Sequence, residues 1–220
     1  MVKLPQIFAA YERLYAAYGP QYWWPGDSPW EIGVGAVLTQ NTSWNNVEKA
    51  IVRLKTSGPM VPETVVSMTD ADLEDAILPS GFFRLKTRRL RAFTAWWQSN
   101  TVADRPFWNG RGLPEFRRDL LAVNGIGPET ADSVLLYCFD LPVFVIDAYT
   151  RRLAERHLGL GPVGDYHLLQ QRFTENLPSD VRLYNEYHAL IVRAAKESCR
   201  KNGCNDKCLL KNFPETTFSS

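Results

Sequence analysis

The chain has 220 residues, with 25 Lys or Arg, 24 Asp or Glu and a formal net charge of +1. Its 45% hydrophobic content is enough for one large core or two small ones. No run of about 18 apolar residues could span a membrane, and the N-terminal segment lacks a signal peptide's apolar core, so we expect a cytoplasmic protein. Any affinity for a polyanion must come from local clusters of Lys and Arg, because the net charge is so small.

Apolar residues recur at helical spacing along almost the whole chain, as in Val47, Ile51 and Leu54. Segments such as SPWE (28–31) and PETV (62–65) have the Ser, Pro and acidic residues of helix starts. The pattern predicts an all-α fold of about ten short helices. The apolar stretch PVFVID (142–147) has no partner strand, and we interpret it as a connection.

The segment NGIGPET (124–130) lies between two apolar helical stretches. It predicts a helix-hairpin-helix, in which Gly125 and Gly127 permit positive φ and let a phosphate approach the N–H groups of the second helix. Ile126 would anchor the turn in the core, and Thr130 lies in the first turn of the second helix. Taken alone, the pattern is also typical of an ordinary turn between helices.

A single carboxylate, Asp147, follows about twenty residues later in VFVIDAYTRRL, after an apolar run and at the head of a helix. With GAVLTQNT (35–42) and SGFFRLKTRRL (80–90), these features resemble the helix-hairpin-helix DNA glycosylases of the endonuclease III superfamily. The resemblance implies two helical lobes, one spanning residues 28–141 and the other built from 1–27 plus 142–220. It also implies double-stranded DNA as partner, with a damaged nucleotide flipped out of the helix.

The resemblance assigns Asp147 as the catalytic group, whereas on its own this residue would be interpreted as a helix N-cap. Superfamily members that also cut the DNA backbone carry a Lys two residues after the second loop glycine, where this chain has Glu129. A carboxylate cannot form a Schiff base, and the chain has no Lys from residue 87 to 195. The sequence therefore predicts a monofunctional glycosylase without AP lyase activity.

The segment QYWWPGDSP (21–29), together with GAVLTQNT and the hairpin loop, resembles the 3-methyladenine glycosylase branch of the superfamily. The resemblance implies that Trp23, Trp24 and Pro25 line a pocket for the flipped base, with Glu129 facing the same pocket. An alkylated purine carries a positive charge that is attracted to an indole face. Packing in the core is the alternative for the Trp pair.

Alignment of the motifs also implies contacts to the DNA itself. Gln40 and Phe82 are candidates to fill the space left by the flipped base, with core packing as the alternative for Phe82. We expect Arg84 and Lys86, with the hairpin residues Gly125, Ile126, Gly127 and Thr130, to bind DNA.

Cys199, Cys204 and Cys208 form a C-x4-C-x3-C tail that resembles the four-cysteine iron-sulfur motif of the superfamily. A fourth cysteine is missing there, because Cys138 lies on the helix after the hairpin, so we expect no cofactor; an iron-sulfur cluster held by three cysteines and an outside ligand is the alternative. A zinc site is favoured even less, since His188 lies eleven residues before Cys199.

Two other functions stay open at this point. One is an endonuclease III type of glycosylase that excises oxidised or mismatched bases. The other is a non-catalytic DNA-binding module that uses the hairpin only as a phosphate clamp. For any of these functions we expect a monomer.

Overall fold

The computed structural model describes residues 4–162 and 164–213. It confirms the all-α prediction, with helices α1 (Pro5–Tyr18), α2 (Pro29–Leu38), α3 (Trp44–Ser57), α4 (Pro62–Ser67), α5 (Asp70–Ile77), α6 (Phe83–Asn100), α7 (Leu113–Leu121), α8 (Pro128–Phe139), α9 (Ala148–His157), α10 (Tyr166–Thr174) and α11 (Val181–Glu197). A 3₁₀ turn, Leu78–Ser80, separates α5 from α6. Two short antiparallel hairpins pair β1 (Thr101–Val102) with β2 (Arg105–Pro106) and β3 (Cys199–Arg200) with β4 (Gly203–Cys204).

The chain divides into two compact units. One unit runs continuously from Trp24 to Leu141, and the other combines the chain before Trp24 with the chain after Leu141. The predicted central lobe of residues 28–141 begins four residues later than the continuous unit. Among the described residues, no helix combines the length and the apolar character needed to cross a membrane.

The continuous unit is built around α2, which is buried along almost its whole length. The helix starts where the Ser28 hydroxyl accepts the Glu31 N–H, and Pro29 occupies its first turn. On one side, Trp30 stacks on Phe93 with ring centroids 5.8 Å apart and meets Trp97 edge to face. A Cβ added to Gly33 would lie 2.9 Å from the Phe93 ring, so glycine is what allows α2 and α6 to approach this closely.

The discontinuous unit packs α11 against both α1 and α9. The Tyr187 hydroxyl on α11 donates to the carbonyl oxygen of Ile7 on α1 at 2.7 Å, inside the core. Residues 142–146 form neither helix nor strand, as expected for a connection, and Phe144 stacks on Phe173 with centroids 4.6 Å apart. This buried connection fixes the place where α9 begins.

Candidate active site

The helix-hairpin-helix consists of α7, a tight turn and α8. Gly125 has φ +82°, in the left-handed region, whereas Gly127 has φ −89° and forms the N-cap of α8. The expectation that both glycines serve a positive φ is therefore wrong for Gly127. Ile126 is buried, as predicted, and its N–H donates to the Val123 carbonyl at 3.0 Å. The first N–H groups of α8 have no acceptor within the helix, so the turn presents donors at the positive helix end.

A buried ion pair joins the two helices of the hairpin. Arg117 on α7 donates from Nε and Nη2 to the two carboxylate oxygens of Asp132 on α8, at 2.6 and 2.9 Å. Asp132 is fully buried, and the bidentate geometry satisfies both of its oxygens. Arg117 thus fixes α7 against α8 and holds the turn between them.

The turn is also supported by the segment that follows α2 and by α6. The amide of Gln40 donates to the Gly125 carbonyl and to the Thr130 hydroxyl, both at 3.0 Å, while its oxygen accepts from Arg89. Arg89 lies directly against the turn, because a Cβ added to Gly125 would be 2.3 Å from the Arg89 Cγ. Gln40 therefore positions the hairpin turn, a contact that sequence reasoning missed.

Asp147 lies in the discontinuous unit, at the N-cap of α9. Its Oδ1 accepts the Thr150 N–H at 2.6 Å, and its Oδ2 lies 3.5 Å from His188 Nε2 on α11. Only 8% of the residue is exposed. Burial by itself raises the pKa of Asp147, but His188 and Thr150 together outweigh burial and hold that pKa below the ordinary aspartate value.

Two other aspartates provide a comparison for Asp147. Asp165 caps α10 by accepting the Leu168 N–H, and Asp180 caps α11 by accepting the Leu183 N–H. Both of these are exposed, as is usual for a residue that only caps a helix. Asp147 differs because it is buried and faces a histidine, so capping alone does not account for its surroundings.

The predicted DNA-binding residues of the α6 segment have different surroundings. Phe82 is 66% exposed and has φ +48°, which is rare for an aromatic residue, and Arg84 on the next turn is also exposed. Lys86 is only 1% exposed, and its Nζ donates to the carbonyls of Leu38 and Ser80 at 2.8 and 2.6 Å. The predicted phosphate contact of Lys86 is therefore wrong, because its ammonium group joins α2 to the 3₁₀ turn inside the core.

The remaining predicted pocket residues are only partly buried or exposed. Trp23 and Trp24 are half-buried, whereas Pro25 and Glu129 are exposed. Trp24 meets Trp44 and Tyr137 edge to face, each with centroids 5.3 Å apart, and its Nε1 lies over Gly35 of α2. Glu129 lies in the first turn of α8, the same helix that carries Tyr137.

The structure also brings together groups that the sequence did not connect. His188, which was considered only as a zinc ligand, lies beside Asp147. A different histidine, His157 at the end of α9, lies with Cys199, Cys204 and Cys208. Both groupings join residues that are more than 40 positions apart, and no local motif indicates them.

Comparison with known proteins gives the class of this chain. Residues 34–179 match the model of the HhH-GPD superfamily base excision DNA repair proteins. The chain therefore belongs to the HhH-GPD superfamily and is a DNA repair glycosylase.

Two curated relatives and one solved structure are similar over most of their lengths. The chain is 40% identical over 212 residues to "Putative DNA repair glycosylase MJ1434" of Methanocaldococcus jannaschii, covering 96% of each protein. It is 27% identical over 188 residues to endonuclease III of Thermotoga maritima, covering 85% of this chain and 83% of the relative. The crystal structure of H. pylori 3-methyladenine DNA glycosylase (MagIII) bound to 1,N6-ethenoadenine matches with a TM-score of 0.69 and 26% identity, covering 87% and 96% of the two chains.

Proposed function

We propose that this chain is a monofunctional glycosylase that excises an alkylated purine of the 3-methyladenine type from double-stranded DNA. The observation that carries the proposal is the buried, ionised Asp147, combined with a glutamate where a Schiff-base lysine would be. The aromatic segment at Trp23 and Trp24 supports the substrate class. The solved 3-methyladenine glycosylase supports it further, since that protein is bound to a modified adenine.

In this mechanism Asp147 acts on the sugar. When the bond between the sugar carbon and the base nitrogen breaks, positive charge develops on the deoxyribose, and the Asp147 carboxylate stabilises it. The same carboxylate orients a water molecule and accepts its proton as the new carbon–oxygen bond forms. An alkylated purine leaves as a neutral base because it is already cationic, so the site needs no general acid for its departure.

Base recognition is assigned to the aromatic side chains, with Glu129 favouring a cationic base. Trp23 is the main candidate for stacking, because Trp24 already makes edge contacts with Trp44 and Tyr137. Pro25 is assigned to the lining of the same base pocket. Phe82 is assigned to fill the space left in the duplex, since it is exposed and held in a strained conformation. Arg84 and the hairpin turn are assigned to the phosphates.

The positions of the amines support the proposed lack of lyase activity. The pKa of Lys86 is lowered to about 8, first by burial and then by the charge of Arg89, which is the kind of shift that activates an amine. Its Nζ is nevertheless enclosed in the core and occupied by two carbonyls. Glu129 leaves no amine in the first turn of α8.

A panel of duplex oligonucleotides tests the substrate class. Each duplex carries one lesion: 3-methyladenine, 7-methylguanine, 1,N6-ethenoadenine, hypoxanthine, thymine glycol or a G·T mismatch. We expect release of the alkylated purines, with strand breaks only after alkali. Excision confined to thymine glycol or to the mismatch would instead indicate the endonuclease III type of activity, and no excision at all would favour a DNA-binding module.

Borohydride trapping tests the assignment of Glu129. The wild-type chain should form no covalent complex with DNA, because Glu129 stands where a Schiff-base lysine would be. Glu129→Lys should form one, whereas Glu129→Gln is the matched control and should not. Efficient trapping of the wild-type chain would contradict the monofunctional mechanism.

Trp23→Ala tests the base pocket. It should reduce excision strongly while leaving affinity for undamaged DNA nearly unchanged, and Trp23→Phe should restore part of the activity because stacking returns. Equal losses of excision and of nonspecific affinity would show that Trp23 is needed for folding and not for base recognition.

A further inference from the structure

We infer that His157, Cys199, Cys204 and Cys208 form a mononuclear zinc site, in place of the iron-sulfur cluster that the superfamily resemblance implies. His157 Nε2 lies 3.3 Å from Cys199 Sγ, 3.3 Å from Cys204 Sγ and 3.7 Å from Cys208 Sγ. The sulfurs of Cys199 and Cys204 are 3.3 Å apart. The ligand atoms of His157, Cys199 and Cys204 thus lie within 4.8 Å of one another, and Cys208 Sγ approaches the same histidine nitrogen from a further position.

The distances among His157, Cys199 and Cys204 are close to those around one tetrahedral ion, and Cys208, 3.7 Å from His157 Nε2, would complete the ligand set. Zinc bonds of about 2.3 Å to sulfur and about 2.0–2.1 Å to nitrogen place the ligand atoms about 3.5–3.8 Å apart at the corners of a tetrahedron. A four-iron cluster does not fit the same atoms. Each protein ligand of such a cluster binds a different iron atom, so the ligand atoms must be farther apart than those around a single metal ion.

The backbone explains how these residues meet. The β3–β4 hairpin pairs Cys199 directly with Cys204, so both sulfurs lie on one face, and Gly203 in the hairpin has φ +132°. The turn that follows brings back Cys208, whose N–H donates to the Asn205 carbonyl at 3.2 Å. His157 ends α9 and completes the set from a distant part of the chain.

The surroundings of the four ligands also suit a zinc ion. The guanidinium group of Arg156 lies 3.7 Å from Cys199 Sγ, where its charge offsets the net negative charge of three thiolates around a divalent ion. The ring of His157 also hydrogen-bonds to the backbone of Leu210, and Arg152 donates to the Cys199 carbonyl at 3.1 Å. Outer contacts of this kind orient the ligands of metal sites.

The other histidines and the fourth cysteine lie in other parts of the structure. The chain has three histidines, of which His188 lies beside Asp147 and His167 is exposed on α10. The fourth cysteine, Cys138, is buried in the continuous unit. The site therefore accounts for every cysteine of the tail together with the one histidine that reaches it.

The site would join the ends of two helices. α9 begins after Asp147 and ends at His157, while α11 carries His188 and leads into Cys199. A metal ion shared by His157 and Cys199 would hold the C-terminal ends of these two helices together. We expect it to stabilise the unit that contains Asp147.

Metal analysis after anoxic purification, from cells supplied with both zinc and iron, tests the inference. We expect about one zinc per chain that survives dialysis, with neither iron nor acid-labile sulfide in stoichiometric amounts. Cobalt exchanged into the wild-type protein should show thiolate-to-metal charge transfer and tetrahedral d–d absorption. X-ray absorption of the zinc protein should fit three sulfurs and one nitrogen.

Two pairs of variants identify the ligands. His157→Asn and Cys208→Ser should lose zinc, whereas His167→Asn and Cys138→Ser, which remove the same residue types elsewhere, should keep it. Four irons with sulfide, a protein without bound metal, or a Cys199–Cys204 disulfide after anoxic purification would overturn the inference. Because the wild-type spectra report the ligand set directly, the test does not depend on the variants folding, and it is independent of glycosylase activity.

Discussion

Two buried carboxylates, one in the hairpin and one at the start of α9, are held in different ways. In the hairpin, both oxygens of Asp132 accept from the guanidinium group of Arg117. At α9, Asp147 accepts one backbone N–H on Oδ1, and its Oδ2 lies at the edge of hydrogen-bonding distance from His188. Each oxygen of the first carboxylate accepts from one nitrogen of the same guanidinium group, whereas the second carboxylate is held by a backbone N–H and by a histidine on a separate helix.

The difference separates two uses of a buried charge. Asp132 and Arg117 form an ion pair that joins the two helices of the hairpin and supports the turn that we propose binds a phosphate. The pKa of Asp147 is lowered by His188 and Thr150 instead of by a guanidinium group, and we propose that its carboxylate acts on the sugar and on water. The comparison predicts that one carboxylate contributes mainly to stability and the other mainly to chemistry.

The largest effect is expected from Asp147→Asn. Asparagine is as good an N-cap as aspartate, so α9 should keep its start and the chain its stability. Base release in single-turnover assays should fall about 10²–10⁴-fold, because the group that assists the sugar and the water has lost its charge. The matched control is Asp165→Asn, which changes an exposed cap and should leave base release unchanged. Wild-type rates for Asp147→Asn would refute the catalytic assignment.

Arg117→Ala should act on stability. It leaves Asp132 buried without its guanidinium partner, which costs about 3–5 kcal/mol in the free energy of unfolding measured with urea. The double variant Arg117→Met/Asp132→Leu replaces the ion pair by apolar side chains of similar size and should recover much of this loss. Molecules that remain folded should release base at nearly the wild-type rate. A loss of rate without a loss of stability would reverse the roles assigned to the two carboxylates.

The two loop glycines form the next test, because sequence reasoning treated them alike. Gly125→Ala introduces a side chain at φ +82° and into the space of Arg89, which costs about 1–3 kcal/mol in stability and should weaken DNA binding. Gly127→Ala meets no heavy atom within 4 Å and has an ordinary φ, so its effect should be smaller. Fluorescence anisotropy with undamaged duplex measures the affinity. Equal effects of the two substitutions would show that the approach of Arg89 is unimportant.

Much of the fold was predictable from the sequence because its signals are local. The helical spacing of apolar residues and the helix-capping residues predicted the all-α class. The Gly-Ile-Gly segment between two helical stretches predicted the helix-hairpin-helix. Lys86 was misplaced because its cluster of basic residues resembles an exposed helix face. It lies four residues before the buried Leu90, so both side chains share the inner face of α6.

The contacts missed by sequence reasoning depend on tertiary structure. Gln40 contacts Gly125 across 85 positions, and His157 meets Cys199 across 42. Spacing within one motif carries no information about such pairs. The cysteine tail was therefore interpreted as an incomplete set, because the sequence did not indicate that His157 at the end of α9 lies beside it.

The smallest effect is expected from His188→Ala. Because the pKa of Asp147 is lowered in the folded chain, its carboxylate contributes stability above the pKa of the unfolded chain, and this contribution is lost as the pH falls through the folded pKa. Without the imidazole, burial becomes the dominant influence, so the pKa of Asp147 should rise. The acidic limb of the rate profile should move to higher pH, and base release near neutral pH should fall roughly tenfold, or about 1.4 kcal/mol in the activation barrier.

His167→Ala is the matched control, since it removes an exposed imidazole and should leave the whole pH profile in place. A lower rate at every pH, without movement of the acidic limb, would mean that His188 only packs against α9. A shifted limb would show that the imidazole of His188 lowers the pKa of Asp147 in the folded chain and so keeps its carboxylate ionised for the reaction.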